Sequence, residues 1–386
     1  MSRLRRTGLL LAVLIAVLVA WEPSRVAIQT AIMLPNLLGA PIMPLDLFSA
    51  APVRSAVPYS TTGREPELAE LWLPSWASSQ SRAGAMLLVF GVNNLGRNHP
   101  AIVRVADGLA RSGVAVLVPD SRSMLEGRVR ADDLDKVVEA FELLASRPEV
   151  DATRVGMVGF SVGGSLALIA AADPRIASRV AWVNAFGAFG DAESYLASVA
   201  AHAYLSPSGE AVAWEPTPIA REVFLRLVLD AVVDAADHSL LQQRYGKEIL
   251  AGGRVSSDTE LRGKLTSDGG RAVYDLLTAT SLPGAHRAIA SLPEATRVFI
   301  RAISPLEHLD GLRTRVYLMH EIADHHVPFV ESRALAEALR ERGRLVTHTE
   351  FRLFDHVQPD NLDVVAAAPE LWKLLWHVDQ LMVETL

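Results

Sequence analysis

The sequence predicts an α/β fold: a mostly parallel β-sheet flanked by helices, interrupted once by a helical insertion. Three observations carry that expectation. From residue 53 onward, short runs of strand character alternate with helical segments, as in a parallel sheet whose crossovers are helices. Runs such as AMLLVF at 85–90 and VAVLVP at 114–119 are apolar without alternation, as strands buried on both faces are. The alternation stops near Asp191 and resumes near residue 304, leaving roughly a hundred residues of helices and loops between, the size of a lid.

The elements follow in order. Residues 1–25 open on Arg3, Arg5 and Arg6, and an uncharged run, GLLLAVLIAVLVAW, spans Gly8 to Trp21. A basic stretch before an apolar one is the layout of a secretory signal, although the run is short against the roughly 17–25 residues of a full bilayer crossing. Leu18-Val19-Ala20 is a poor cleavage site, so an uncleaved signal anchor is expected, with a cleaved signal peptide as the alternative. The first makes the protein membrane-anchored with its main domain extracytoplasmic; the second makes it secreted or periplasmic. Residues 26–52 form an apolar, membrane-proximal segment broken by Pro35, Pro41 and Pro44, which lies on the membrane surface or covers the main domain.

Residues 53–190 make the first part of the core. Segments 53–60 and 66–73 read as a hairpin around Thr62-Gly63. The strand 85–90 leads to a helix at about 99–112 that ends at Gly113, then to the strand 114–119. In 132–146 the apolar positions Leu134, Val137, Val138, Phe141 and Leu144 keep helical spacing. RVGMVGF (154–160) is a strand, SLALIAAA from Ser165 a helix, and RVAWVNAF (179–186) a strand. Residues 191–303 are helical cap, with REVFLRLVLDAVVDAA (221–236) as one clear helix and no convincing strand. Residues 304–386 complete the core through RVYLMH (315–320), a helix at 328–342, RLVTHTEFRLF (344–354) and a final helix at 366–385.

Composition narrows the function. Half of the 386 residues are apolar and the net charge is −7, which predicts a packed core and excludes disorder and a nucleic-acid partner. There is no cysteine, so disulfides, thiolate nucleophiles and cysteine-held metals are excluded.

GFSVGG at 159–164 fits G-x-S-x-G through Gly159, Ser161 and Gly163. The string alone is common, but a buried strand before it and a helix after it are the context in which such a serine stands on a strained turn above the sheet. A serine needs a general base oriented by an acid, and in such a sheet those partners follow in the order Ser, Asp, His. Asp324 lies in the loop beyond RVYLMH, and His356 in the loop beyond FRLF. Asp355 and Asp360 are the alternative acids. The oxyanion donors are expected at the amides of Val162 and of Val92, or of Asn93 if the turn is shifted by one. His320-Glu321 with His325 and His326 is not H-E-x-x-H, because the second histidine comes one position late. No metal and no cofactor are expected.

With these residues the chain resembles the α/β-hydrolase superfamily, and within it the dienelactone-hydrolase-like and serine-esterase groups. The similar blocks are LLVFGVNNLG, LARSGVAVLVPD, DATRVGMVGFSVGGSLALIAAADPR, SPLEHLDGLRTRVYLMHEIADHHVP and FDHV. They cover most of 84–190 and 304–357. The resemblance implies the α/β-hydrolase fold with a helical lid, Ser161 as nucleophile, Asp324 as acid and His356 as base. A serine hydrolase acting on a small-molecule or lipid-like carboxylic ester through an acyl-enzyme is expected, with a peptidase or acyltransferase on the same triad, or a membrane-tethered non-catalytic binding protein of this fold, as the alternatives. Two departures stand out: dienelactone hydrolases proper use a cysteine nucleophile, and the usual His-Gly pairs read Phe90-Gly91 and His320-Glu321 here.

Overall fold

A computed structural model describes residues 22–40, 43–59, 66–359 and 367–386. The expected anchor or signal run at Gly8–Trp21, the Thr62-Gly63 turn and Asp360 lie outside the described residues. None of the described helices is long and apolar enough to cross a membrane.

The centre is an eight-stranded sheet. Its strands are β1 (Val53–Tyr59), β2 (Glu67–Leu73), β3 (Ala83–Val89), β4 (Ala115–Pro119), β5 (Val150–Phe160), β6 (Trp182–Phe186), β9 (Arg315–Glu321) and β10 (Val346–Phe351). The spatial order is β1-β2-β4-β3-β5-β6-β9-β10, with antiparallel pairing only at β1, β2 and β4. β3 lies between β4 and β5, so the connections leave in opposite directions there and open a crevice at the strands' C-terminal ends.

Helices cover both faces. On one lie α1 (Glu22–Leu38), α2 (Pro44–Phe48), α3 (Pro100–Arg111) and the C-terminal α14 (Ala368–Thr385). On the other lie α4 (Asp133–Ala145), α5 (Val162–Ala172) and α13 (Val330–Glu341). β3 is buried at every position, which explains why its sequence shows no alternation. The segment 26–38 is a helix that buries Val26 and Met33 against α3 and α14. It covers the domain.

Between β6 and β9 come α6 (Ala192–Ala201), a short hairpin β7 (Ala203–Leu205) and β8 (Ala211–Ala213), α7 (Pro218–Asp230), α8 (Ala235–Ala251), α9 (Thr259–Lys264), α10 (Asp268–Leu277), α11 (Leu282–Ala290) and α12 (Glu294–Ala302). These helices hold a hydrophobic cluster of their own. The hairpin corrects the expectation of no strand: its strands are three residues each, too short to show a period. The expected helix 221–236 is also divided. Asp234 accepts from the amides of Ala236 and Asp237, and this N-cap starts a new helix inside an apparently continuous run. The strand expected at 344–354 ends at Phe351, where Ile322 N donates to the Phe351 carbonyl.

Candidate active site

Ser161 stands between the last residue of β5 and the first of α5, with φ 55° and ψ −133°. A side chain held at positive φ is strained, and such strain persists only where surroundings over-determine it. Here the surroundings are backbone. A Cβ on Gly159 would stand 2.4 Å from the Gly163 carbonyl oxygen, and one on Gly163 would stand 2.4 Å from that of Val89. The two glycines let α5 close onto β5 and β3, and Ser161 N donates to Phe186 O at 2.8 Å.

The expected acid and base are brought together. His356 Nδ1 lies 2.5 Å from Asp324 Oδ2, and both residues are buried. His356 also has a positive φ, 58°. Asp324 Oδ1 accepts from the amides of His326 at 2.6 Å and Val327 at 3.0 Å, and His320 Nε2 lies 3.3 Å from Oδ2. Burial disfavours the carboxylate, but the neighbouring His356 and His320 outweigh it and hold the Asp324 carboxyl well below the usual range. With Nδ1 engaged, His356 Nε2 is buried without a hydrogen-bond partner on the cavity that Ser161 also lines. Asp355, the alternative acid, is exposed.

That cavity measures about 730 Å³. Phe90, Val92 and Phe160 line it from the sheet side, and Tyr195, Phe224 and Leu227 from the inserted helices. The amides of Val92 and Val162 donate to no acceptor among the described residues, and both residues line the cavity. The loop carrying Val92 abuts the serine turn: a Cβ on Gly91 would stand 3.0 Å from Val162 Cγ1. Phe90 stands at the histidine position of the His-Gly pair that the resemblance led one to expect. Bracing comes from Arg97, whose amide donates to Asp120 Oδ1 at 2.7 Å and whose guanidinium pairs with Asp120 and Glu70. The Asn93 side chain folds back on its own loop, Nδ2 donating to Gly91 O at 3.3 Å.

Ligand-type atoms of Asp324, His326 and His356 lie within 4.8 Å of one another. The two imidazoles are stacked, however, with centroids 4.3 Å and planes 11° apart. Their lone pairs lie in nearly parallel planes and do not converge on one ion, and Asp324 Oδ2 is engaged by His356. Burial, with His356 beside it, lowers the pKa of His326 to about 4. A neutral ring therefore lies on the face of His356.

Comparison with known proteins supplies the wider frame. The sequence model of the acetyl xylan esterase (AXE1) family matches residues 132–192, a small part of the chain that includes Ser161. No curated protein matches. Among solved structures the chain is similar to dipeptidyl peptidase 4 of Porphyromonas gingivalis, with a TM-score of 0.52 and 13% identity. That match covers 87% of this chain and 36% of the other, so the chain spans little more than a third of that peptidase. The chain has the α/β-hydrolase fold. Thermogutta terrifontis esterase 2 is also similar, with a TM-score of 0.47, 17% identity, and 86% and 94% of the two chains covered.

In this α/β-hydrolase fold, the ends of β9 and β10 carry residues whose part at the site sequence reasoning did not assign. Glu321 is buried at the end of β9, and its carboxylate accepts from the amides of Leu353 at 2.7 Å, Phe354 at 2.9 Å and Ala323 at 3.1 Å. It fastens the loop before His356 to the loop before Asp324. His320 Nε2 lies 3.0 Å from the Val327 carbonyl, which ties down the far end of the acid loop. The replacement of His-Gly by His320-Glu321 was the available signal. Trp214 of the inserted segment donates its indole N–H to Asp324 O at 2.8 Å, so the insertion is fastened to the acid loop as well.

Proposed function

We propose that this chain is a serine hydrolase that cleaves carboxylic esters with an apolar acyl or alcohol part through an acyl-enzyme. The carrying observation is the His356–Asp324 pair and Ser161 on one cavity, with a free His356 Nε2. Ser161 Oγ attacks the ester carbonyl while His356 Nε2 takes its proton; His356 returns that proton to the departing alkoxide. Asp324, ionised in its buried site, holds the imidazole by Nδ1 and stabilises the imidazolium. The amides of Val162 and Val92 bind the oxyanion. Water, deprotonated by His356, then releases the acid and restores Ser161. No metal or cofactor has a step in this scheme.

The substrate class follows from the walls. Phe90, Val92, Phe160, Phe224 and Leu227 offer apolar surface on both sides of Ser161, and apolar surface removed from water contributes about 25 cal/mol per Å². The inserted helices form one wall, which makes them a lid over the ester. The test is labelling by a fluorophosphonate probe beside assays on p-nitrophenyl esters of increasing acyl length and on aminoacyl amides. Labelling that vanishes in Ser161→Ala, with faster turnover of longer esters, is expected. Folded protein that the probe does not label at Ser161 would overturn the hydrolase assignment; turnover of amides alone would overturn the ester assignment.

A further inference from the structure

We infer that the outer face of α1, α2 and α14 docks on a lipid bilayer carrying anionic headgroups. This goes beyond the catalytic proposal and does not depend on it. The first observation is charge. Residues 26–45, VAIQTAIMLPNLLGAPIMPL, contain no charged side chain, yet α1 is a surface helix. Its inner side is filled by Val26 and Met33, and its outward positions are Ala27, Ile28 and Ala31. A helix of a soluble domain turns charged or polar residues outward along its length. This one does so at Arg25, and its exposed positions beyond are apolar.

The apolar surface continues onto its neighbours. α14 packs beside α1, with Thr30 Oγ1 donating to Asp379 at 3.3 Å. Its Trp372, Trp376 and Val383, spaced by four and seven, are 68%, 51% and 55% exposed on one side. On α2, which packs against the other part of α1, Leu47 and Phe48 are 74% and 80% exposed. Large apolar side chains exposed on neighbouring helices mark an interaction surface.

Three features choose a bilayer as the occupant. Tryptophans among aliphatic side chains are the composition of the membrane–water interface. One end of the face is rimmed by Arg25, Arg82, Arg111 and Arg154 around a cleft shared with Trp76, on a chain whose net charge is −7. Arg25 and Arg82 form no ion pair among the described residues, and such cations face anionic headgroups favourably. In the sequence the uncharged run Gly8–Trp21 directly precedes α1. None of the described helices is long and apolar enough to cross a membrane, and helices that are apolar on one side lie in the interface plane. Leu34 and Leu38 of α1 share an apolar cluster with Phe160, which lines the catalytic cavity; docking therefore places lipid near the wall of that cavity.

The absence of cysteine permits a direct test. Nitroxides are attached to the full chain through Ile28→Cys and Val383→Cys on the face, with Phe48→Cys in reserve should either destabilise the fold. Val233→Cys, in the insertion and 94% exposed, is the reference. With mixed phosphatidylcholine–phosphatidylglycerol vesicles, labels 28 and 383 are expected to lose accessibility to a water-soluble nickel chelate several-fold and gain accessibility to oxygen, while label 233 changes little. Arg25→Glu with Arg82→Glu lowers binding to those vesicles several-fold and leaves binding to pure phosphatidylcholine unchanged. If the chain binds vesicles while labels 28 and 383 remain as open to nickel as label 233, Gly8–Trp21 alone holds it and the inference fails. Protection of the two labels without vesicles shows a second copy, or residues 8–21, on the face and overturns it. Failure to bind the mixed vesicles overturns it too.

Discussion

Glu321 shows how much of the site rests on a residue outside the expected triad. Its carboxylate collects the amides of Ala323, Leu353 and Phe354. Glu321→Ala leaves those donors unpaired in a buried place, where an unsatisfied amide costs about 1–3 kcal/mol. The variant should lose about 2–5 kcal/mol of stability in urea denaturation. It should also lower kcat more than it raises KM, because it releases the loop of His356 rather than a substrate contact. Glu321→Gln keeps a carbonyl acceptor and should recover most of the kcat. Loss of stability with unchanged kcat would show that the loop needs no such brace. The placement of the candidates Ser161, Asp324 and His356 was legible because each follows a strand, where position alone narrows the choice. Glu321 was legible only as a departure from His-Gly. Its amide partner Leu353 is 32 positions away, and a backbone donor leaves no mark in sequence.

At the scale of elements, the serine turn is a contact between a helix and two strands. Gly163→Ala would put a methyl 2.4 Å from the carbonyl oxygen of Val89, and Gly159→Ala one 2.4 Å from that of Gly163. Both obstacles are backbone, so β3 or α5 must shift. Each variant should lose at least the upper part of the about 1–3 kcal/mol typical of overpacking, and fluorophosphonate labelling should slow with it. Gly164→Ala meets the Ala188 methyl at 3.0 Å and the Gly159 carbonyl oxygen at 3.1 Å, both looser contacts, and should be milder. Equal stability of all three variants by urea denaturation would contradict this account. The strands and helices around the turn were legible from burial and period. What escaped was local: the Asp234 cap that divides 221–236, the hairpin β7–β8 with its three-residue strands, and the early start of α5 at Val162, where two glycines and a serine hide the helical pattern.

For the whole molecule, three buried histidines weaken the fold as pH falls from neutrality. His326 and His348 have pKa values lowered to about 4, and His377 to about 3, with burial the leading cause in each. His377 is fully buried, with Nδ1 2.7 Å from Thr349 Oγ1 and Nε2 2.9 Å from Asn184 Oδ1. Thr349 and Asn184 join α14 to β10 and β6 through that neutral ring. Unfolded, the three imidazoles take up protons near pH 6.5; folded, they resist until near pH 4 or 3. The unfolded state therefore binds more protons across that window, and stability falls as pH falls through it. Each group contributes up to about 1.4 kcal/mol per pH unit, so the three together approach about 4 kcal/mol per unit near pH 5. Asp324 acts in a lower window. Its carboxyl is held below the usual range, so its contribution is complete above about pH 4 and is lost as pH falls further. Urea denaturation from pH 7.5 to 4.5 should therefore give a slope that steepens below about pH 6.5, and His377→Gln, whose amide can bridge Thr349 and Asn184, should remove about a third of it. A wild-type slope unchanged in the variant would mean that His377 is protonated in the fold, and that the contact between α14 and the sheet has a different electrostatic basis.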